Sequence, residues 1–245
     1  MAKIAARGRL IVGVSQTIYP FSFRDPVSGE MRGFDVDIAR EMARAVFGDP
    51  NAVQFKATNV PERITFLQKG EVDIVVHTFT MTCARLQQIA FSTEYLTIGP
   101  RLLVKRGSGF RSIDDLGGRK VCASKGGAPL LQIQQAASRP IPVGAENSID
   151  CLIMLQQGQV DAVCNDDAIL VALAEQDPTT EVVGPRFSND GYGIGISRGE
   201  PELVRFVNAV LERLRASGTW ATIYRRWLSG QLGPPPPPPE AQYLD

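Results

Sequence analysis

The segment Leu67-Gln68-Lys69-Gly70-Glu71-Val72-Asp73-Ile74-Val75-Val76 returns further along as Leu155-Gln156-Gln157-Gly158-Gln159-Val160-Asp161-Ala162-Val163-Cys164. Each copy reads as a helix end, a glycine stop and a short buried strand. The two strands lead into stretches of different charge. Thr78, Thr80 and Arg85 come after the first; Asn165, Asp166 and Asp167 come after the second. A cation beyond one strand and an anion beyond its counterpart suit a small zwitterion held between two similar lobes.

Length and charge narrow the classes. The 245 residues suffice for one large domain or two of about 100–150 residues. Twenty-six basic and 26 acidic residues cancel, which argues against a nucleic-acid binder, whose affinity rests on neutralising phosphates. No apolar run approaches the ~20 residues that span a bilayer. Met1 to Gly8 contains no apolar signal core, so the expectation is a cytoplasmic protein or a mature chain stripped of its signal. The four cysteines, Cys83, Cys122, Cys151 and Cys164, fit either two disulfides or buried free thiols. With one histidine and no C-x-x-C spacing, a zinc site is not expected, and no cofactor is.

Strands and helices alternate along the chain. The run 9–14 reads as a buried strand, 33–46 as an amphipathic helix with acids in its first turns, and 51–57 as a strand. A helix begins near Pro61 and stops at Gly70; its following strand ends near His77. Thr82 can cap the next helix, and 91–104 reads as a long extended segment. The second block predicts strands at 120–124, 141–143 and 160–164, with helices near 130–137, 148–157 and 167–175. An extended return at 189–197 leads into helices at 201–215 and 219–228. This rhythm implies α/β lobes, each a mostly parallel sheet flanked by helices. Pro234 to Pro239 forms a polyproline tail, read as a stiff spacer.

In open parallel sheets, ligands lie beyond the carboxyl ends of strands. That rule selects Ser15 to Tyr19, Thr78 to Thr80, Lys125 to Ala128 and Asn165 to Asp166. Arg85, one turn inside a capped helix, suits a bidentate carboxylate contact; its plain alternative is a solvated surface arginine. Asp166 can hold an ammonium or cap the following helix, a task Asp167 can also serve. Arg63 offers a second cation or a solvated helix face beside Glu62. His77 has no evident nucleophile to serve and reads as structural.

The chain resembles the extracytoplasmic polar amino-acid-binding proteins of ABC importers, with the type II periplasmic-binding fold. The resemblance covers Leu10 to about Leu232. It rests on Pro20-Phe21-Ser22-Phe23, Gly33-Phe34-Asp35-Val36-Asp37, Arg63-Ile64, the first repeat, Thr80-Met81-Thr82 with Arg85, Phe91-Ser92, and Val160-Asp161-Ala162-Val163 with Asp166. Among these it is most similar to actinobacterial glutamine/glutamate/aspartate-binding lipoproteins, which share a cysteine close before the arginine, as Cys83 stands here, and a Pro-rich tail with a Tyr-x-Asp-like end.

The resemblance implies roles. Arg85 would clamp the α-carboxylate with backbone N–H groups of Thr80 and of Gly127 or Ala128. Asp166 would pair with the α-ammonium, helped by oxygens of Thr78. Arg63 matches an arginine aimed at a side-chain carboxylate, which makes glutamate or aspartate the first choice. Ile18 and Val60 stand where many relatives close the pocket with aromatics. Ser15 stands where acidic-ligand relatives can carry another arginine, so asparagine and glutamine come next. Residues 1–95 with 192–232 would form lobe 1 and 99–188 lobe 2; 96–98 and 189–191 would form the hinge, and 233–245 the tail. The expected partners are an amino acid and an ABC permease or a membrane sensor, the protein being a monomer, outside the cytoplasm and lipid-anchored in its precursor. The rival is an enzyme resembling cyclohexadienyl dehydratases on the same scaffold. It would need a spare protonated carboxylate in the cleft, for which Glu146 and Asp150 are the nearest candidates.

Overall fold

The computed structural model describes residues 1–243; Leu244 and Asp245, the end of the Tyr-x-Asp-like sequence, lie outside the described residues. The chain divides into two compact units. The first holds Met1–Thr58, Glu62–Thr97 and the chain from Asp190 onward; the second holds Asn59–Pro61 and Ile98–Asn189.

The first unit opens with α1 (Ala2–Arg7) and β1 (Leu10–Val14), then a small antiparallel sheet of β2 (Thr17–Ile18), β3 (Ser22–Arg24) and β4 (Met31–Arg32). It continues through α2 (Phe34–Phe47), β5 (Val53–Ala57), α3 (Arg63–Gln68), β6 (Ile74–Val75), α4 (Cys83–Leu86), β7 (Ala90–Phe91) and β8 (Leu96–Ile98). The second unit comprises β9 (Pro100–Lys105), β10 (Lys120–Ser124), α5 (Ala128–Gln135), β11 (Ile141–Ala145), α6 (Ser148–Gln156), β12 (Ala162–Asp166), α7 (Asp167–Gln176) and β13 (Thr180–Val183). The chain then returns through β14 (Asp190–Tyr192), β15 (Gly195–Ile196), α8 (Pro201–Ala216), α9 (Thr219–Trp227) and α10 (Ser229–Leu232).

The two main sheets share one plan: β5-β1-β6-β15-β7 and β11-β10-β12-β9-β13. In each, the strand fourth in order runs against the other four. The core is laid down by the sequence pattern. The apolar stripe of α8 buries Leu203, Val207, Val210, Leu211 and Leu214, each contributing about 1.5–3 kcal/mol of burial. Phe34, Tyr95, Tyr192, Trp220 and Tyr224 form a buried aromatic cluster in the first unit. Within it, Trp220 Nε1 donates to the Tyr95 carbonyl at 2.7 Å.

The repeated segment does the same structural task twice. Gly70 (φ 65°) and Gly158 (φ 71°) take the left-handed turn that ends each helix. Asp73 Oδ2 accepts from the Ile11 N–H at 2.7 Å, while Asp161 Oδ2 accepts from the Lys120 N–H at 2.8 Å. The N–H groups of these aspartates donate back to the carbonyls of Ile11 and Lys120. Each aspartate thus ties its strand to the start of the neighbouring parallel strand. Arg7 pairs with Asp73 and Arg119 with Asp161.

Several expectations shift. β12 begins two residues later than expected and extends through Asp166, because Asn165 and Asp166 pair with Arg101 and Pro100 of β9. The extended stretch 91–104 is broken into β7, β8 and β9, its first break coming where Ser92 bonds to Ile194 instead. α5 starts at Ala128, with Pro129 in the first turn where its missing N–H costs nothing. The cysteines take neither expected pattern. One disulfide joins Cys122 of β10 to Cys151 of α6, with Cys83 exposed and Cys164 buried as thiols. Among the described residues no helix is long and apolar enough to cross a membrane.

Candidate functional site

In the first unit, the chain leaving β6 is held in place by backbone pairing. Thr80 bridges Tyr192, with Met81 N–H donating to the Gly191 carbonyl and Gly193 N–H to the Phe79 carbonyl. This pairing turns the Thr80 N–H and carbonyl the other way. The carbonyl accepts from Arg85 Nη1 at 2.6 Å; the N–H has no hydrogen-bond partner among the described residues. Thr82 caps α4, its hydroxyl accepting from the Arg85 N–H. Arg85 is buried, its guanidinium 5.1 Å from the centroid of the Phe79 ring.

Arg63 is not on a solvated helix face. It is 3% exposed, and its Nη1 donates to the carbonyls of His77 (3.0 Å) and Thr78 (3.2 Å). Its guanidinium lies 4.2 Å from the same Phe79 ring. One aromatic ring therefore gathers both arginines, each contact worth up to about 2 kcal/mol when desolvated. Phe79 in turn packs edge-on against Phe91 in the core.

Thr78 has φ +40°, a conformation that is a genuine outlier for a β-branched residue. Its N–H donates to Asp35 Oδ2 at 2.8 Å, while Asp35 Oδ1 accepts from the Tyr95 hydroxyl at 2.9 Å. Asp35 is fully buried. Burial pushes its carboxyl up to about 6, against the opposing pull of the Thr78 and Tyr95 hydrogen bonds and the Arg63 charge. His77 is buried and kept neutral by desolvation and by Arg63; its Nδ1 lies 3.1 Å from the Thr58 hydroxyl. Ser15 and Ile18 belong to a different group. The Ser15 N–H donates to Ser22 Oγ, its hydroxyl accepts from the Thr17 N–H, and Ile18 is buried in β2.

In the second unit, Asp166 ends β12, is 4% exposed, and occupies the N-cap position of α7 without a side-chain capping bond. Asp167, the other candidate cap, pairs with Arg186. Asn165 Nδ2 donates to Ser148 Oγ, and its Oδ1 accepts from the Asp166 N–H. Desolvation and the Asp166 charge raise the Cys164 thiol far above its ordinary range, so it stays protonated. The glycine turn offers less than its sequence suggests. Gly127 N–H donates to the Ser124 carbonyl and Lys125 N–H to the Ala145 carbonyl. Ala128, first residue of α5, keeps an N–H that no described residue accepts. Val60 lies in the Asn59–Pro61 segment that groups with this unit. Neither candidate acid of the enzyme reading is buried: Glu146 is exposed and paired with Lys125 at 2.5 Å, and Asp150 is half-buried in the first turn of α6.

Asp35, Phe79 and Tyr95 were not among the expected site residues. The signal for Asp35 was present in Gly33-Phe34-Asp35, but an acid in a first helical turn reads equally well as a dipole partner.

The family model described as bacterial extracellular solute-binding proteins, family 3, matches residues 10–230. The ABC transporter glutamine-binding protein GlnH of Bacillus subtilis is 34% identical over 229 residues, covering 93% of this chain and 84% of that protein. The glutamate-binding protein GluB of Corynebacterium efficiens is 28% identical over 238 residues, covering 92% and 79%. Among solved structures, an ancestral arginine-binding protein bound to glutamine matches with a TM-score of 0.85 at 34% identity, covering 91% of this chain and 98% of that one.

Proposed function

Because the chain belongs to family 3 of the bacterial extracellular solute-binding proteins, we propose that it captures a polar L-α-amino acid, L-glutamine first and L-glutamate next, for import through an ABC permease. The observation that carries this reading is the Arg85–Thr80 pair. A buried guanidinium, fixed by a carbonyl and an aromatic ring, stands beside a backbone N–H that lacks a partner among the described residues. That is a carboxylate receptor with little ordering cost left. On this reading the second unit, taken by itself, offers an Ala128 N–H suited to a carboxylate and an Asp166 carboxylate suited to an ammonium group.

Arg63 faces the ligand side chain. Its charge is already opposed by Asp35 and its Nη1 is held by two carbonyls. A neutral amide therefore suits the site better than a second carboxylate, which reverses the order expected from the sequence. The similarity to a glutamine-binding protein supports the same order. The Cys122–Cys151 bond favours an oxidising, extracytoplasmic compartment. The test is a thermal-shift screen of the twenty amino acids, since a ligand that prefers the folded form raises the melting point. L-glutamine should give the largest rise, L-glutamate the next, and Arg85→Ala should abolish both. No rise with any amino acid would sink the reading.

A further inference from the structure

We infer that Asp35 is a positioning residue for amino-acid binding: with Arg63 it clamps the two backbone poles of Thr78 and so holds a strained ligand contact in its binding shape. The inference rests on the proposed function and names how its site is tuned. A non-glycine residue at φ +40° persists only where its surroundings over-determine it. Here both polar groups of one residue are taken by opposite charges. The Thr78 N–H goes to the Asp35 carboxylate at 2.8 Å, and its carbonyl accepts from Arg63 at 3.2 Å. The Asp35 carboxylate is anchored on its other side by the Tyr95 hydroxyl.

The clamp depends on charge. Ionised Asp35 accepts from Thr78 and attracts Arg63; protonated, it is a weaker acceptor and no longer carries the charge that attracts Arg63. Its buried carboxyl titrates near 6. The groups facing it from the neighbouring elements stay fixed across that range. Tyr95 is held neutral by burial and by Asp35, His77 is held neutral by burial and by Arg63, and Arg63 stays charged. Tyr224 of α9 packs against the adjacent Phe34 ring. Binding should therefore weaken as pH falls through the Asp35 range.

The experiment pairs a ligand-free readout with a binding one. Amide NMR of wild type from pH 4.5 to 8 should show the Thr78 N–H titrating with a midpoint near 6, and Asp35→Asn should erase that titration. L-glutamine affinity by calorimetry should drop about tenfold from pH 7.5 to 5 in wild type and stay flat in Asp35→Asn. In the Thr78→Gly background, where the backbone is unstrained, Asp35→Asn should cost less than threefold. A Thr78 amide that does not titrate overturns the clamp without any ligand. An Asp35→Asn protein that titrates glutamine like wild type at every pH overturns the positioning role. If wild type binds no amino acid while the amide still titrates, the proposed function fails and the positioning role falls with it, leaving a clamp that serves the fold alone.

Discussion

At the scale of single residues, the first unit places ionised groups where burial costs most. Asp35 illustrates the sign of that cost. Its folded carboxyl is raised from 3.8 to about 6, so between those values the folded state binds the proton that the unfolded chain has released. Stability from this group is fully present below about pH 4 and is lost as pH rises to about 6, a change of about 3 kcal/mol. The ligand-free protein should show that loss in urea titrations, taken as the difference between wild type and Asp35→Asn; no difference across pH 4 to 6 would remove the buried-carboxylate account. Stability and binding thus pull Asp35 in opposite directions. That Thr80 and Arg85 stand beyond β6 was legible in the sequence, because both follow the first repeat in a recognisable context. The burial of Arg63 and Asp35 was not, because a helix start carrying an acid or an arginine reads the same whether it faces water or a core.

Among elements, the repeated helix–glycine–strand segment is the most readable part of the chain, and its two aspartates are interchangeable in role. Each takes the N–H at the start of its sheet's first parallel strand and is partly exposed beside an arginine. Removing either leaves that N–H without its acceptor, a loss of about 1–3 kcal/mol. Asp73→Ala and Asp161→Ala should therefore destabilise their own units by similar amounts in chemical denaturation, and an effect confined to one of them would show that the likeness is only in sequence. Helix positions were legible from periodicity and from caps such as Thr82. The end of β12 was not. Asn165 and Asp166 look like loop residues, and only pairing with β9, far away in sequence, makes them strand.

For the molecule as a whole, the two units share a plan but not their reinforcements. The disulfide lies wholly in the second, joining positions 29 residues apart. A loop of that length stabilises by roughly 3–4 kcal/mol through the unfolded chain. Reduction should lower the melting point of the second unit and spare the first, resolving one calorimetric transition into two; a uniform shift would mean the units unfold as one. Cysteine count alone left the pairing open, since chain separation says nothing about which thiols meet. The aromatic cluster carries a further consequence. Trp220 donates to the Tyr95 carbonyl, and the Tyr95 hydroxyl donates to Asp35, which holds Thr78. A change at the Thr78 backbone is thus three hydrogen bonds from a buried indole, so addition of L-glutamine should register as a change in tryptophan emission, with no dye attached.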